Sequence, residues 1–328
     1  MSHGYTVAVV GAGLVGERLV AELRRRDFPL RELRVLARSA RRSVLAGETF
    51  EVGVAEPDAF EGVDYAFFAG TEGEKGAAVQ LAAEANARGA VVIDNGSDFR
   101  LDPEVPLVVP EVNAEALERH KGIIANPNCS TIQMVVSLAP IAREFGIRKV
   151  VVSTYQAVSG SGRGGVEALE NGREDVYPKS IAGNAIPLIG GVGEDGYTTE
   201  EEKMREESRK ILSLPDLSVF ATAVRIPVHT GHSESVYVET EREADLSEVL
   251  EMLRSAPGVS FSGDASDFPT PLEAVGEPGT FVGRVRVEGR MISYWCVADN
   301  LLKGAATNAV QIAESLVGVS VYIGSHRG

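Results

Sequence analysis

Thr6-Val7-Ala8-Val9-Val10-Gly11-Ala12-Gly13-Leu14-Val15-Gly16 decides the fold. Five residues of strand character run into G-x-G-x-x-G, and Leu19, Val20 and Leu23 then recur at helical spacing. In that context the glycines have a use. They permit a tight turn and let a pyrophosphate approach the backbone of Gly11, Gly13, Leu14, Val15 and Gly16 at the helix N-terminus. The competing reading is a glycine-rich turn with no ligand.

A second strand, Leu33 to Ala37, ends where an NAD enzyme carries a carboxylate for the ribose 2′-hydroxyl. This chain instead reads Arg38-Ser39-Ala40-Arg41-Arg42-Ser43, with no acid before Glu48. Such a cluster neutralises a 2′-phosphate, so the cofactor expected is NADP; a solvated basic turn is the alternative. Further strands are expected at 50–54, 65–68, 90–93 and 107–109, with an alanine-rich helix from Lys75 to Ala87. Alternating strands and helices predict a doubly wound parallel sheet. The loop Asp94 to Arg100 falls at the carboxyl end of a strand, making Arg100 a candidate anion ligand or a salt-bridge partner of Asp98 or Asp102.

Farther out lies Gly122-Ile123-Ile124-Ala125-Asn126-Pro127-Asn128-Cys129-Ser130-Thr131. Asn126-Pro127 stops a strand, and apolar residues from Ile132 onward recur at helical spacing. Cys129 is therefore expected at a helix N-terminus, where free N–H groups and the helix dipole favour thiolate. A buried, space-filling thiol is the alternative. Beyond it, long strands at 148–157, 218–228, 235–239, 281–288 and 291–297 predict a second, largely antiparallel α+β domain. Residues 175–197 read as a long loop.

A helix is expected from Thr199, capped by Thr199 with Glu202, to Leu212. Glu200 and Lys203 share its face, as site residues or as a surface pair. Arg225 falls on a strand and His232 on the loop after it, so both project into one cleft as ingredients of thiolate chemistry. His229 competes with His232 for that role, and a structural histidine is the plain alternative. A closing helix, 305–316, packs on the first domain. The expected architecture is α/β: a Rossmann-like domain of residues 1–128 with 299–328, and an α+β catalytic and dimerisation domain of residues 129–298.

The 328 residues are 44% hydrophobic and 24% charged, an ordinary globular composition. A formal net charge of −15 argues against nucleic acid and anionic membrane as partners. No apolar run reaches membrane-span length, and Met1 to Tyr5 leads into a strand without signal-peptide character, so a cytoplasmic location is expected. Cys129 and Cys296 match neither a disulfide framework nor a metal-ligand spacing. Cys296 beside Trp295 is expected to be a buried filler.

Taken together, seven ordered segments resemble the bacterial and archaeal aspartate-semialdehyde dehydrogenases: residues 11–16, 95–100, 109–113, 126–133, 155–160, 225–232 and 299–311. The resemblance implies NADPH-dependent reductive dephosphorylation of L-aspartyl 4-phosphate through a Cys129 thioester, in lysine, threonine and methionine biosynthesis. It implies His232 as acid/base, Gln156 orienting the substrate, Asn128 shaping the nucleophile's turn and Arg225 gripping the α-carboxylate. Arg100 and Lys203 would hold the phosphoryl group, with Glu200 on the substrate amino group or steadying that basic pair. Arg38 and Ser39 would meet the 2′-phosphate, and Ser159, Gly160 and Asn300 would lie near the nicotinamide. A homodimer or homotetramer is implied. Two departures stand out: Gly13 replaces a common Thr, and the segment after the second strand is short, which leaves the assignment among Arg38, Arg41 and Arg42 open. A related acyl-phosphate or acyl-thioester reductase and a catalytically silent NADP-binding paralogue are the rival readings.

Overall fold

A computed structural model describes residues 4–70, 73 and 76–318. The expected start of the alanine-rich helix at Lys75, and the segment Met1 to His3, lie outside the described residues. The chain forms two compact units, divided after Pro127 and after Gly304.

Within the first unit come β1 (Tyr5–Val10), α1 (Leu14–Arg25), β2 (Leu30–Ala37), β3 (Arg41–Leu45), β4 (Glu48–Val54), β5 (Tyr65–Phe68), α2 (Ala77–Ala87), β6 (Val91–Asp94), α3 (Pro110–Asn113) and β7 (Ile123–Ala125). The strand order is β3-β4-β2-β1-β5-β6-β7, parallel except for the β3–β4 hairpin. β1 is central because Val7 to Val10 are buried on both faces, the pattern of a parallel strand covered by helices. The basic cluster, whose alternative reading is a solvated turn, enters a strand not expected from the sequence, β3, at Arg41, and Arg42 pairs with Glu51 across the hairpin. Residues 107–109 form no strand; Leu107 makes an isolated bridge to Ala125.

The second unit contains α4 (Cys129–Phe145), β8 (Ile147–Gln156), α5 (Gly162–Asn171), α6 (Thr199–Leu212), β9 (Ser218–Arg225), β10 (His232–Thr240), α7 (Leu246–Ser255), β11 (Val259–Phe261), α8 (Pro271–Ala274), β12 (Thr280–Glu288) and β13 (Met291–Ala298). Its sheet order is β11-β12-β13-β10-β8-β9, with three antiparallel pairings at its centre and parallel ones at its two ends. A π-helical turn, Leu302–Ala306, follows. The chain then returns to the first unit with α9 (Thr307–Val317), whose Ala309, Val310, Ile312 and Ala313 join α1 residues Leu19, Val20 and Leu23 in one core. Arg26 clasps Glu314 through bonds of 2.8 and 2.5 Å, both side chains only 2% exposed, and so ties α1 to α9.

Two boundaries differ from expectation for physical reasons. Thr198, not Thr199, caps α6: its hydroxyl accepts from Glu201 N–H and the Glu201 carboxylate accepts from Thr198 N–H. β9 stops at Arg225, shortly before Pro227, which has no N–H to give a ladder. Among the described residues no helix is long and apolar enough to cross a membrane.

Candidate active site

Gly11 has φ +115°, and a Cβ there would lie 2.5 Å from the Ala69 carbonyl oxygen; one on Gly16 would lie 1.8 Å from that of Gly11. Only glycine closes this turn. Gly13 is different: a Cβ there meets nothing within 4 Å, so the position at which the resemblance implies a Thr is open space. α1 starts at Leu14 and Val15, and Gly13 at its N-cap supplies no side-chain cap, which leaves first-turn N–H groups for a ligand. Arg38 and Ser39 are exposed just past β2, with no acid among them. Arg100 is buried, its Nε donating to the Asn126 carbonyl at 3.0 Å and Nη2 to that of Asn95 at 2.8 Å.

The other site residues gather in the second unit. Asn128 is the N-cap of α4, its Oδ1 accepting from Ser130 N–H at 3.0 Å and Thr131 N–H at 3.2 Å. Cys129 is thus the first helical residue, partly exposed. The turn is braced from α6. Asn128 N–H donates to Glu207 Oε2 at 2.7 Å, and Asn128 Nδ2 to Glu200 Oε1 at 3.0 Å. Gln156 Nε2 reaches the same Glu200 oxygen at 3.2 Å, and Lys203 Nζ lies 3.8 Å from Oε2. Glu207 escaped the sequence reading. Its seven-residue spacing from Glu200, which puts both on one α6 face, was the available signal.

Contrary to expectation His232 is not on a loop: it is the first residue of β10, facing Ala298 of β13. Arg225 ends β9 opposite Gln156, so the three side chains project from adjacent strand ends. Ala157 serves both His232 and Arg225. Its N–H donates to His232 Nδ1 at 3.0 Å, and its carbonyl accepts from Arg225 Nη1 at 2.6 Å. Among the described residues His232 Nε2 and Arg225 Nε are buried without hydrogen-bond partners. Burial, reinforced by the Arg225 charge, pushes the imidazole pKa well below the ordinary value. The ring is therefore neutral, and with Nδ1 accepting its proton sits on Nε2. Gly160 gives these groups room, since a Cβ there would stand 2.7 Å from Arg225 Nη1 and 3.2 Å from His232 Nε2. Ser159 exchanges hydrogen bonds with Asn300. His229 is half-exposed beside Glu170. Cys296 is fully buried, as expected, and burial raises its pKa. Among the described residues no group of three His, Cys, Asp or Glu side chains forms a metal site.

A dinucleotide-type turn in one unit, with a thiol at a helix start and a buried imidazole at a strand end in the other, is the residue set of a semialdehyde dehydrogenase. Family models agree in both halves: "Semialdehyde dehydrogenase, NAD binding domain" matches residues 6–120 and "Semialdehyde dehydrogenase, dimerisation domain" residues 138–303. The aspartate-semialdehyde dehydrogenase of Bacillus subtilis is 47% identical over 96% of this chain and 98% of its own length. That of Aquifex aeolicus is 48% identical over the same shares. The crystal structure of aspartate semialdehyde dehydrogenase II of Vibrio cholerae, complexed with ASA, superposes with TM-score 0.91 at 43% identity over 97% of this chain and 99% of that one. The chain belongs to the aspartate-semialdehyde dehydrogenase family and is an oxidoreductase of the aldehyde group.

Proposed function

We propose that the protein converts L-aspartyl 4-phosphate, NADPH and a proton to L-aspartate 4-semialdehyde, NADP⁺ and phosphate, on the route to lysine, threonine and methionine. The observation that carries this is Cys129 as the first residue of α4, with His232 and Arg225 held by a shared backbone residue. The Cys129 thiolate attacks the acyl carbon, phosphate leaves, and a thioester remains. Arg100 and Lys203 bind the phosphoryl oxygens, and Arg225 binds the α-carboxylate. Glu200 orders Asn128, Gln156 and Lys203 around the sulfur. His232 is a hydrogen-bond donor: its Nε2–H stabilises oxygen charge on the tetrahedral species, and its Nδ1 is engaged and not available as a base.

NADPH, when bound, supplies the hydride that reduces the thioester. The Gly11 to Gly16 turn would hold the pyrophosphate, and Arg38 with Ser39 the 2′-phosphate. Ser159, Gly160 and Asn300 would lie toward the nicotinamide. The exposed cross-strand row Tyr237, Val151 and Phe220 on one sheet face supports a homodimer. A cytoplasmic setting belongs to the same proposal, supported by two cysteines that form no disulfide. NADP⁺ reduction by L-aspartate 4-semialdehyde, with and without inorganic phosphate, tests the reading. Phosphate-dependent turnover that prefers NADP⁺ to NAD⁺ is expected; turnover indifferent to phosphate would overturn it.

A further inference from the structure

Two consecutive residues reach both sides of the chemistry in the second unit. Asn300, 2% exposed, accepts the Gly231 N–H on Oδ1 at 2.9 Å, and its Nδ2 donates to Ser159 Oγ at 3.0 Å. Gly231 immediately precedes His232 and has φ +96°; a Cβ there would press within 2.9 Å of Pro271. The rest of that loop hangs from backbone bonds, Val158 N–H to the Val228 carbonyl and Ser159 N–H to that of His229. The Asn300 amide is thus the side-chain clasp on the residue that delivers the imidazole. Asp299 works in the other direction. Its carboxylate takes the N–H groups of Leu301, Leu302 and Gly276, and its carbonyl takes that of Gly304. Gly304 lies against the nucleophile: a Cβ there would stand 2.8 Å from Cys129 Cβ.

We infer that Asn300 is a positioning residue for catalysis, fixing the imidazole through Gly231, while Asp299 sets the wall behind Cys129 through Gly304. This rests on the function proposed above and adds to it, because it assigns Asn300 a role that does not depend on touching cofactor. A donor displaced by about 1 Å from developing charge loses on the order of a hundredfold in rate, whereas ground-state binding changes little.

The test compares Asn300→Ala and Asn300→Asp with the wild type in the phosphate-dependent reaction, alongside amide hydrogen exchange at Gly231. For N300A we expect kcat to fall about ten- to a hundredfold, KM for NADP⁺ to stay within about twofold, and Gly231 to lose protection. N300D keeps an acceptor for the Gly231 N–H and recovers both protection and most of the rate. A large rise in KM for NADP⁺ at unchanged kcat would make Asn300 a cofactor ligand and overturn the inference. So would a slow N300A in which Gly231 remains protected. Should N300A fail to fold, N300D decides: Gly231 protected with near-normal kcat supports the inference, and any other outcome overturns it. Gly231 exchange is read without substrate, so an inactive wild type would count against the proposed function alone.

Discussion

The Ala157 N–H lies 3.0 Å from His232 Nδ1 and donates to it. That bond, inside a fully buried site, assigns the imidazole proton to Nε2 and sets the direction in which the ring can act.

His232→Ala should lower kcat by about a hundredfold to ten-thousandfold, with thiol reactivity retained, because in the proposed mechanism the ring donates to oxygen rather than deprotonating Cys129. The check is iodoacetamide alkylation beside steady-state kinetics. An alkylation rate that collapses with kcat would return the ring to the role of base.

The same residue makes stability depend on pH. Its folded pKa is depressed, so the unfolded chain takes up a proton on passing below about pH 6.5 while the folded chain does not. The contribution is present above that pH and is lost as pH falls toward the folded value. Denaturant melts of the wild type and His232→Gln should diverge below pH 6.5 and run parallel above it.

Glu234 has the opposite sign. It faces Thr154 and Cys296 on the buried side of the sheet, its two oxygens lack hydrogen-bond partners among the described residues, and burial pushes its pKa well up. The native carboxyl stays protonated where the unfolded one ionises, above about pH 4.3. Stability is therefore full below that pH and declines as pH rises toward the folded pKa. Glu234→Gln should melt higher than the wild type at pH 8, with a difference that shrinks toward pH 5. A difference independent of pH would contradict the assignment.

Gly160→Ala would force a methyl group against Arg225 Nη1 and His232 Nε2. The guanidinium is held to the Ala157 carbonyl, so it must leave that bond to make room. KM for the aldehyde should rise by roughly tenfold or more, with little change in the melting temperature.

Glu314→Ala would leave the buried Arg26 without its bidentate partner. A loss of about 3–5 kcal/mol is expected in chemical denaturation.

What the sequence made legible was local. The glycine turn, the Asn128-Cys129 helix start and the strand carrying Arg225 each announce themselves within a dozen residues. The expected cap, Thr199 with Glu202, lies one residue from the true one, because Thr198 with Glu201 has the same spacing and only backbone geometry selects it. The charges of Arg41 and Arg42 disguised β3, which is exposed on most of its length. His232 looked like a loop residue because Gly231 breaks the pattern just before it, yet it pairs with Ala298 as a strand residue. The braces were hidden for a different reason. Glu207 takes a backbone N–H 79 residues away, and Ala157 acts entirely through its main chain, so neither leaves a motif.

The most direct test of the central claim is the intact mass of the protein after mixing with L-aspartate 4-semialdehyde and NADP⁺ without phosphate. An aspartyl thioester on the peptide carrying Cys129, released on adding phosphate and absent from Cys129→Ala, is the expected result. Phosphate-dependent turnover that persists in Cys129→Ala, or an acyl group carried by another residue, would contradict it.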